Sequence, residues 1–361
     1  MSIILFLIVL AVLIIVHEFG HFIVAKKAGV RVDEFGLGFP PRLIGWRPRG
    51  SETEYTLNLL PLGGFVKIFG EDPAEEGVAD GPDKARSMPA KSPLTQIAIL
   101  AAGVVGNVII AYVFIWVSLV MGVPALVDDT LRDDAQVIIT DVLHTGPAHE
   151  VLAVGDIIHA VNGIPTVHVA DVQQAIAMSG GNEVTLLVER NQVDTPVTLT
   201  PEQGVTDTGT YAVGIALGAI AIEEYSTIPA LGYAAVRTYE MIGGVALGLG
   251  GFLGDLVTGS ANFSQVTGPV GLVGMVSNAS EIGLVPLLTF AAVISINLAL
   301  INLVPFPALD GGRILFVLIE VISQRKIPAT VAQYVNAAGF LLLLILMGVV
   351  TYHDIIRIVA G

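Results

Sequence analysis

The chain has 361 residues, of which 53% are hydrophobic and only 14% charged, with a formal net charge of −15 and no cysteine. That composition excludes an ordinary soluble domain and reads as an integral membrane protein. The lack of thiols excludes a disulfide framework and any cysteine-ligated metal, and no basic patch points to nucleic acid as a partner.

The first apolar stretch, Ser2–Ala25, is interrupted by His17-Glu18-Phe19-Gly20-His21. As a helix rising about 1.5 Å per residue it reaches roughly 36 Å, enough to cross a hydrocarbon core of about 30 Å. Two imidazoles and a carboxylate are costly in lipid, so their placement there points to function. His17 and His21 are four apart, share a helix face and can bind one metal ion. Glu18 lies beside that face, placed to take a proton from a water on the metal. A cleaved signal peptide fits poorly, because no basic residue precedes the apolar run, no small-x-small site follows it, and it continues to Lys26-Lys27.

Three later segments can also span: Ile97–Gly122, Pro286–Leu303 and Tyr334–Tyr352. Pro286–Leu303 is short and carries Asn297 and Asn302, so it is expected to line a protein interior. Ile228–Val257 is apolar and glycine-rich but broken by Arg237, Glu240 and Asp255; it reads as an amphipathic segment on the membrane surface, with a fifth span as the weaker alternative. Basic residues set the orientation. Residues 26–93 hold ten Lys/Arg, whereas residues 124–285 hold three against eighteen Asp/Glu. The positive-inside rule places residues 26–93 and 304–333 in the cytoplasm, and both termini and residues 124–285 outside. The expected organisation is a first span (1–25), a cytoplasmic loop (26–93), a second span (94–123), an extracytoplasmic domain (124–205), an amphipathic region (206–283), a third span (284–304), a motif-bearing cytoplasmic loop (305–333), and a fourth span with the C-terminus (334–361).

A catalytic zinc needs three protein ligands and one open position. Asp310 is the best candidate for the third, in Asn302-Leu-Val-Pro-Phe-Pro-Ala-Leu-Asp310-Gly311-Gly312 directly after the third span. The prolines and glycines break the helix, and irregular backbone at membrane depth is tolerated only where protein or a wet cavity satisfies it. On spacing alone, an ordinary surface aspartate in a glycine-rich turn reads equally well.

The pairing of HEFGH in a first span with NxxPxPxLDG after a later one resembles the site-2 protease family of intramembrane zinc metalloproteases, in its bacterial RseP-like (regulator of sigma-E protease) branch. The resemblance runs along nearly the whole chain. Gly38-Phe39, Glu54-Tyr-Thr-Leu-Asn and Pro61-Leu-Gly-Gly-Phe-Val-Lys67 match its membrane-associated β-segment, Gly103 and Asn107 its second-span motif, and Thr267-Gly-Pro-Val-Gly271 a stretch before the third span. The usual Gly-Phe-Gly loop reads Gly38-Phe39-Pro40, and the usual Gly-Pro of the second span reads Gly103-Val104. The resemblance implies one Zn2+ per chain on His17, His21 and Asp310, Glu18 as general base, and substrate contacts at Asn302 and at Gly63, Gly64 and Phe65 of the β-segment.

In the outer domain, β-like runs at Gln136–Leu143, Ile157–Val161, Glu183–Glu189 and Pro196–Leu199 alternate with turns. Gly146-Pro-Ala, Val154-Gly-Asp-Ile-Ile-His-Ala-Val-Asn-Gly163 and a helical Val169–Met178 resemble one bacterial-type PDZ domain, which binds peptides by strand addition. The expected fold is therefore an α-helical polytopic membrane protein with about four transmembrane helices, a membrane-associated β-segment and an inserted β-rich PDZ domain.

The expected activity is zinc-dependent hydrolysis of peptide bonds inside the membrane segments of single-span substrates, anti-sigma factors among them, in regulated intramembrane proteolysis at the bacterial cytoplasmic (inner) membrane. Strands Tyr55–Leu60 and Gly63–Phe69 are expected to offer edges to the unwound substrate, and the PDZ domain to engage a peptide or ectodomain and admit only trimmed substrates. The alternatives are clearance of remnant signal peptides, a catalytically inactive PDZ scaffold, and a transporter with broken helices.

Overall fold

The computed structural model describes residues 2–71, 83–128, 134–143, 146–190, 193–205, 209–260 and 266–360. The remaining part of the expected cytoplasmic loop, residues 72–82, lies outside the described residues.

Helix α1 (Ser2–Lys27) carries the HExxH sequence. It stops at Gly29, whose φ of +68° suits glycine. Val30 N–H reaches back to the Ala25 carbonyl (2.9 Å) and Gly29 N–H to Lys26 (3.0 Å), a Schellman closure of the helix end. The chain then enters β1 (Val32–Trp46) and β2 (Glu54–Ile68), which pair antiparallel and fold back on themselves. Phe35, Gly36 and Leu37 have partners on both sides, in Val66, Phe65 and Gly64 on one and Tyr55, Thr56 and Leu57 on the other. Tyr55, Thr56 and Leu57 also face Trp46, Gly45 and Ile44. The reversal within β1 falls at Gly38, with φ +80°, and at Pro40-Pro41, which lack ladder donors. This corrects the expectation of two edge strands. Residues 55–57 are interior, whereas among the described residues Gly64, Phe65 and Val66 have a strand partner on one side only. Leu43, Ile44, Trp46, Leu59 and Leu60 are exposed on this sheet, an apolar surface suited to a membrane-associated segment.

Ala25, Val30, Val32, Val66, Ile68, Met88, Ile99 and Leu100 form one core that ties the end of α1 and both strands to the start of α2 (Pro93–Met121). Each of the valine, isoleucine, leucine and methionine side chains, fully buried, contributes about 1.5–3 kcal/mol.

Residues 119–226 form a separate compact unit. It contains β3 (Val123–Val127), β4 (Gln136–Val142), β5 (Ile157–Val161), β6 (Ile164–Pro165), α3 (Val169–Met178), β7 (Val184–Arg190), β8 (Val193–Leu199), β9 (Glu202–Gln203), β10 (Tyr211–Ala212) and β11 (Ile215–Glu223). The main sheet runs β3-β11-β4-β5-β7-β8, with β6 paired to β5. Val184, Leu186 and Val188 alternate inward along β7 and meet Val172 and Ile176 of α3, with Val137, Ile139, Ile158 and Val161 completing the core. This is the expected PDZ domain, but its boundary moves. The sequence reading closes it at residue 205, whereas β11 lies between β3 and β4 and belongs to its sheet.

The chain continues through α4 (Thr227–Thr258), α5 (Pro269–Ile282), α6 (Leu284–Leu303), α7 (Asp310–Ser323) and α8 (Ala329–Ala360). By length and composition, α1, α2, α6 and α8 are the four described helices able to cross a membrane. Exposed Ile3, Ile4 and Ile8 on α1 and Phe340, Leu341 and Ile345 on α8 are the lipid-facing side chains such helices need. Helix α4 covers the whole expected amphipathic segment, and its start is pinned to α2 by Trp116 Nε1–H donating to the Thr227 carbonyl (3.0 Å). The N-terminus of α5 is capped from α8: the buried Asp354 carboxylate accepts Gly268 N–H (3.1 Å) and Gly271 N–H (2.8 Å). A carboxylate at the positive end of a helix satisfies two orphan donors and the dipole together.

Candidate active site

Both histidines of α1 are buried, at 7% exposure each, and turn the same way. Their rings meet edge to face with centroids 4.8 Å apart. Asp310, 293 residues after His17, closes the cluster. Its Oδ2 lies 3.1 Å from His17 Nε2 and 3.4 Å from His21 Nε2, and the two Nε2 atoms are 3.2 Å apart. Of the described residues, these three form one of two groups of His, Asp and Glu with metal-ligand spacing.

The local fold explains how Asp310 arrives there. Helix α6 ends at Leu303, the Val304–Leu309 run crosses two prolines, and α7 begins at Asp310 itself. Ala308 is held at φ +73°, with its N–H donated to Asn336 Oδ1 (3.2 Å). Gly311 and Gly312 are buried under the turn, and a Cβ on either would strike the Leu303, Val304 or Phe306 carbonyls. The two glycines let the carboxylate-bearing helix start directly beneath the loop that leads to it.

The donor set fits zinc. Ligands about 2.0–2.1 Å from a tetrahedral centre lie about 3.3 Å from one another, and the three observed separations run from 3.1 to 3.4 Å. His21 is already in the required tautomer. Its Nδ1 lies 2.8 Å from the Ile99 carbonyl, which can only accept, so Nδ1 carries the proton and Nε2 keeps its lone pair.

A cavity of about 260 Å3 opens beside the cluster, lined by His17, Glu18, Gly63, Gly64, Asn302 and Asp310 among others. Glu18 is half-buried there, and Gly64 faces it: a Cβ on Gly64 would lie 3.4 Å from Glu18 Cγ. Asn302 Nδ2 is 3.4 Å from His17 Nε2. Of the expected substrate contacts, Phe65 is not a lining residue. Its ring lies on Gly36, on the other face of β2, as the period-two alternation of a strand requires.

Sequence reasoning quoted Gly103 and Asn107 as motif positions but gave them no part in the site. Gly103 is packed on both imidazoles, and Asn107, fully buried in α2, places Nδ2 3.1 Å from His17 Nδ1. The available signal was an amide in an otherwise apolar span, which is costly unless used. The Asn336 contact that holds Ala308 carried no comparable signal.

Two imidazoles and a glutamate on a helix apolar enough to cross a bilayer, with a carboxylate from the start of α7 closing on the imidazoles, define a membrane-embedded metallopeptidase. The chain belongs to peptidase family M50, whose family model matches residues 5–346. It is 36% identical to a Clostridium perfringens protein described as a zinc metalloprotease, over 99% of both chains. It is 29% identical to the regulator of sigma-W protease RasP of Bacillus subtilis, over 99% of both. It is 30% identical to the zinc metalloprotease RasP of Geobacillus kaustophilus, over 98% of this chain and 97% of that one. Among solved structures, the PDZ domain of an SdrC-like protein from Listeria monocytogenes matches 24% of this chain and 88% of its own length, at 21% identity and a TM-score of 0.22.

Proposed function

We propose that this membrane zinc metalloprotease cuts peptide bonds within the transmembrane segments of single-span proteins that another protease has already trimmed, with anti-sigma factors as the substrate type. In this reading His17, His21 and Asp310 hold one zinc, Glu18 is the general base, and Asn302, Gly63 and Gly64 hold the substrate backbone. The name of the Bacillus subtilis relative, a regulator of sigma-W protease, supports the signalling role.

The observation that carries the reading is that one small cavity joins His17 and Asp310 of the ligand cluster, Glu18, and Gly63 and Gly64 of β2. A transmembrane helix shields its scissile amide with its own hydrogen bonds, so cleavage needs an extended substrate. The outer edge of Gly64–Val66 offers main-chain partners for a segment that has left its helix. Gly63 and Gly64, without side chains, let that segment come close to Glu18. His17, His21 and Asp310 would hold the zinc, which would supply the Lewis acidity that makes water nucleophilic near neutral pH and polarises the scissile carbonyl. Glu18 takes the proton from the attacking water and returns it to the leaving amine. The Asn302 amide, aimed into the same cavity, donates to the substrate carbonyl.

Orientation follows from the basic loops, with both termini and the PDZ domain extracytoplasmic and products released towards the cytoplasm. The PDZ domain acts as a size filter that refuses substrates still carrying a bulky ectodomain. The test is cleavage in liposomes of a single-span substrate supplied trimmed or intact. Trimmed substrate should be cut within its membrane segment by the zinc-loaded protein and not by Glu18→Gln. Cleavage only outside that segment would refute the reading.

A further inference from the structure

Asn107 is 0% exposed in the middle of α2, and its backbone carbonyl accepts the Ser295 hydroxyl from α6 at 2.8 Å. That bond fixes the depth at which the amide meets His17. Its Nδ2 lies 3.1 Å from His17 Nδ1, while its Oδ1 has no hydrogen-bond partner.

The contact ties the orientation of the amide to the tautomer of the ring. An amide N–H donated to Nδ1 requires a lone pair on Nδ1, so the ring proton must sit on Nε2. That tautomer has no lone pair on Nε2. It is incompatible with Nε2 binding a cation, which needs the Nε2 lone pair and moves the proton to Nδ1. Nδ1–H then needs an acceptor, and the amide at 3.1 Å holds one in Oδ1. A half-turn about the Cβ–Cγ bond exchanges Oδ1 and Nδ2 with almost no change of shape. Either orientation leaves one amide atom without a partner in the structure, so the ring tautomer, not the amide's own bonds, decides between them.

We infer that Asn107 is a positioning residue for the metal centre: its amide Oδ1 accepts Nδ1–H of His17 and so holds the His17 Nε2 lone pair on the metal. The two histidines are thereby oriented differently. His21 is locked by a main-chain carbonyl, and His17 is held by a side-chain amide. The inference rests on His17 being a zinc ligand.

The experiment measures zinc affinity of the full-length protein by competition with a chromogenic chelator, for wild type, Asn107→Asp, Asn107→Leu and His17→Ala. Aspartate keeps the acceptor and loses the donor, and leucine keeps the volume and loses both. The expected result is affinity about 10–100-fold weaker for Asn107→Leu, the usual effect of losing an outer-shell partner, with Asn107→Asp close to wild type. Co2+-loaded Asn107→Asp should also keep the visible absorption bands of the wild-type site. A loss of tenfold or more in Asn107→Asp, or unchanged affinity in Asn107→Leu, overturns the inference. If Asn107→Leu cannot be recovered folded, the aspartate variant decides by the same criterion. If His17→Ala binds zinc as tightly as wild type, the ligand assignment is wrong. If only His17→Ala loses zinc, the ligand stands and the role of Asn107 falls.

Discussion

Gly103 lies flat against His17: a Cβ built at this position would come within 2.8 Å of His17 Nε2 and would strike His21 Nε2 as well. Both of these nitrogens face Asp310. The side chain that glycine lacks would therefore occupy the space of the proposed metal ligands. One helix turn away, a Cβ on Gly106 would lie 2.9 Å from the Val16 carbonyl, so the closeness of α2 to α1 extends beyond one residue. Gly103→Ala should lower zinc affinity at least as much as loss of an outer-shell partner, about 10–100-fold, with helix content unchanged by circular dichroism. Full zinc content in this variant would show that the two helices separate easily and that the tight packing is not needed for the centre.

The ligand and base assignments make opposite demands on two variants. Asp310→Ala should lose zinc, because two imidazoles alone leave the site one ligand short. Glu18→Gln should retain about one zinc per chain while turnover falls by about 10²–10⁴-fold, since an amide cannot accept the water's proton. Elemental analysis of purified protein alongside a cleavage assay separates the two. Zinc at full occupancy in Asp310→Ala would mean that the third ligand is elsewhere.

Much of this was legible in the chain because it is local. Ile157–Val161 and Val169–Met178 appear with the bounds that alternation and helical periodicity assign, and an i, i+4 histidine pair shares a helix face wherever it occurs. What could not be read is pairing at a distance. The place of β11 between β3 and β4 is set by partners about 75–100 residues away, and nothing in Ile215–Glu223 alone names them. The double use of Phe35–Leu37, with a partner on each side, follows from the turn at Gly38–Pro41 and reverses the expected edge status of Tyr55–Leu57. Asp354 reads as a charge near the end of the last span, and only its contacts with Gly268 and Gly271 show it to be a helix cap.

In the PDZ domain, Asp156 is 2% exposed on its side chain, and Arg190 donates to both its oxygens at 2.8 and 2.6 Å. Burial pushes its carboxyl up, but the Arg190 hydrogen bonds and the Ala153 N–H outweigh this and hold it below the usual carboxylate range. A depressed folded-state value gives stability that is present above the unfolded value of about 3.9 and is lost as pH falls through the folded one. Asp156→Asn should destabilise the domain at pH 7 by about 1–3 kcal/mol, and the difference from wild type should shrink below about pH 4. Hydrogen exchange of peptides from residues 119–226 at pH 7 and pH 3 would measure it. A difference that is the same at both values would show that the ionised carboxylate contributes nothing.

The absence of cysteine makes topology directly testable. In intact cells, Asp194→Cys should react with an impermeant maleimide from outside, whereas Lys84→Cys should react only after lysis. The reverse pattern would invert the orientation derived from the basic loops and with it the proposed side of product release.

Whether the PDZ domain filters substrates or helps cut them depends on where the excision is made. Removing residues 126–204 would leave β11 without β4, exposing a strand that normally pairs on both sides and confounding the result with aggregation. Excising Val123–Glu223 and bridging the gap with a short flexible linker removes the sheet as a whole, from β3 to β11. The proposed ligands and base all lie outside this range, so zinc content should stay at about one per chain. If the domain is a filter, the excised protein should cut an intact-ectodomain substrate faster than wild type does. A trimmed substrate should be cut at nearly the same rate by both. Should both substrates be cut poorly by an excised protein that still holds its zinc, the domain recruits substrate instead, and the filter is wrong.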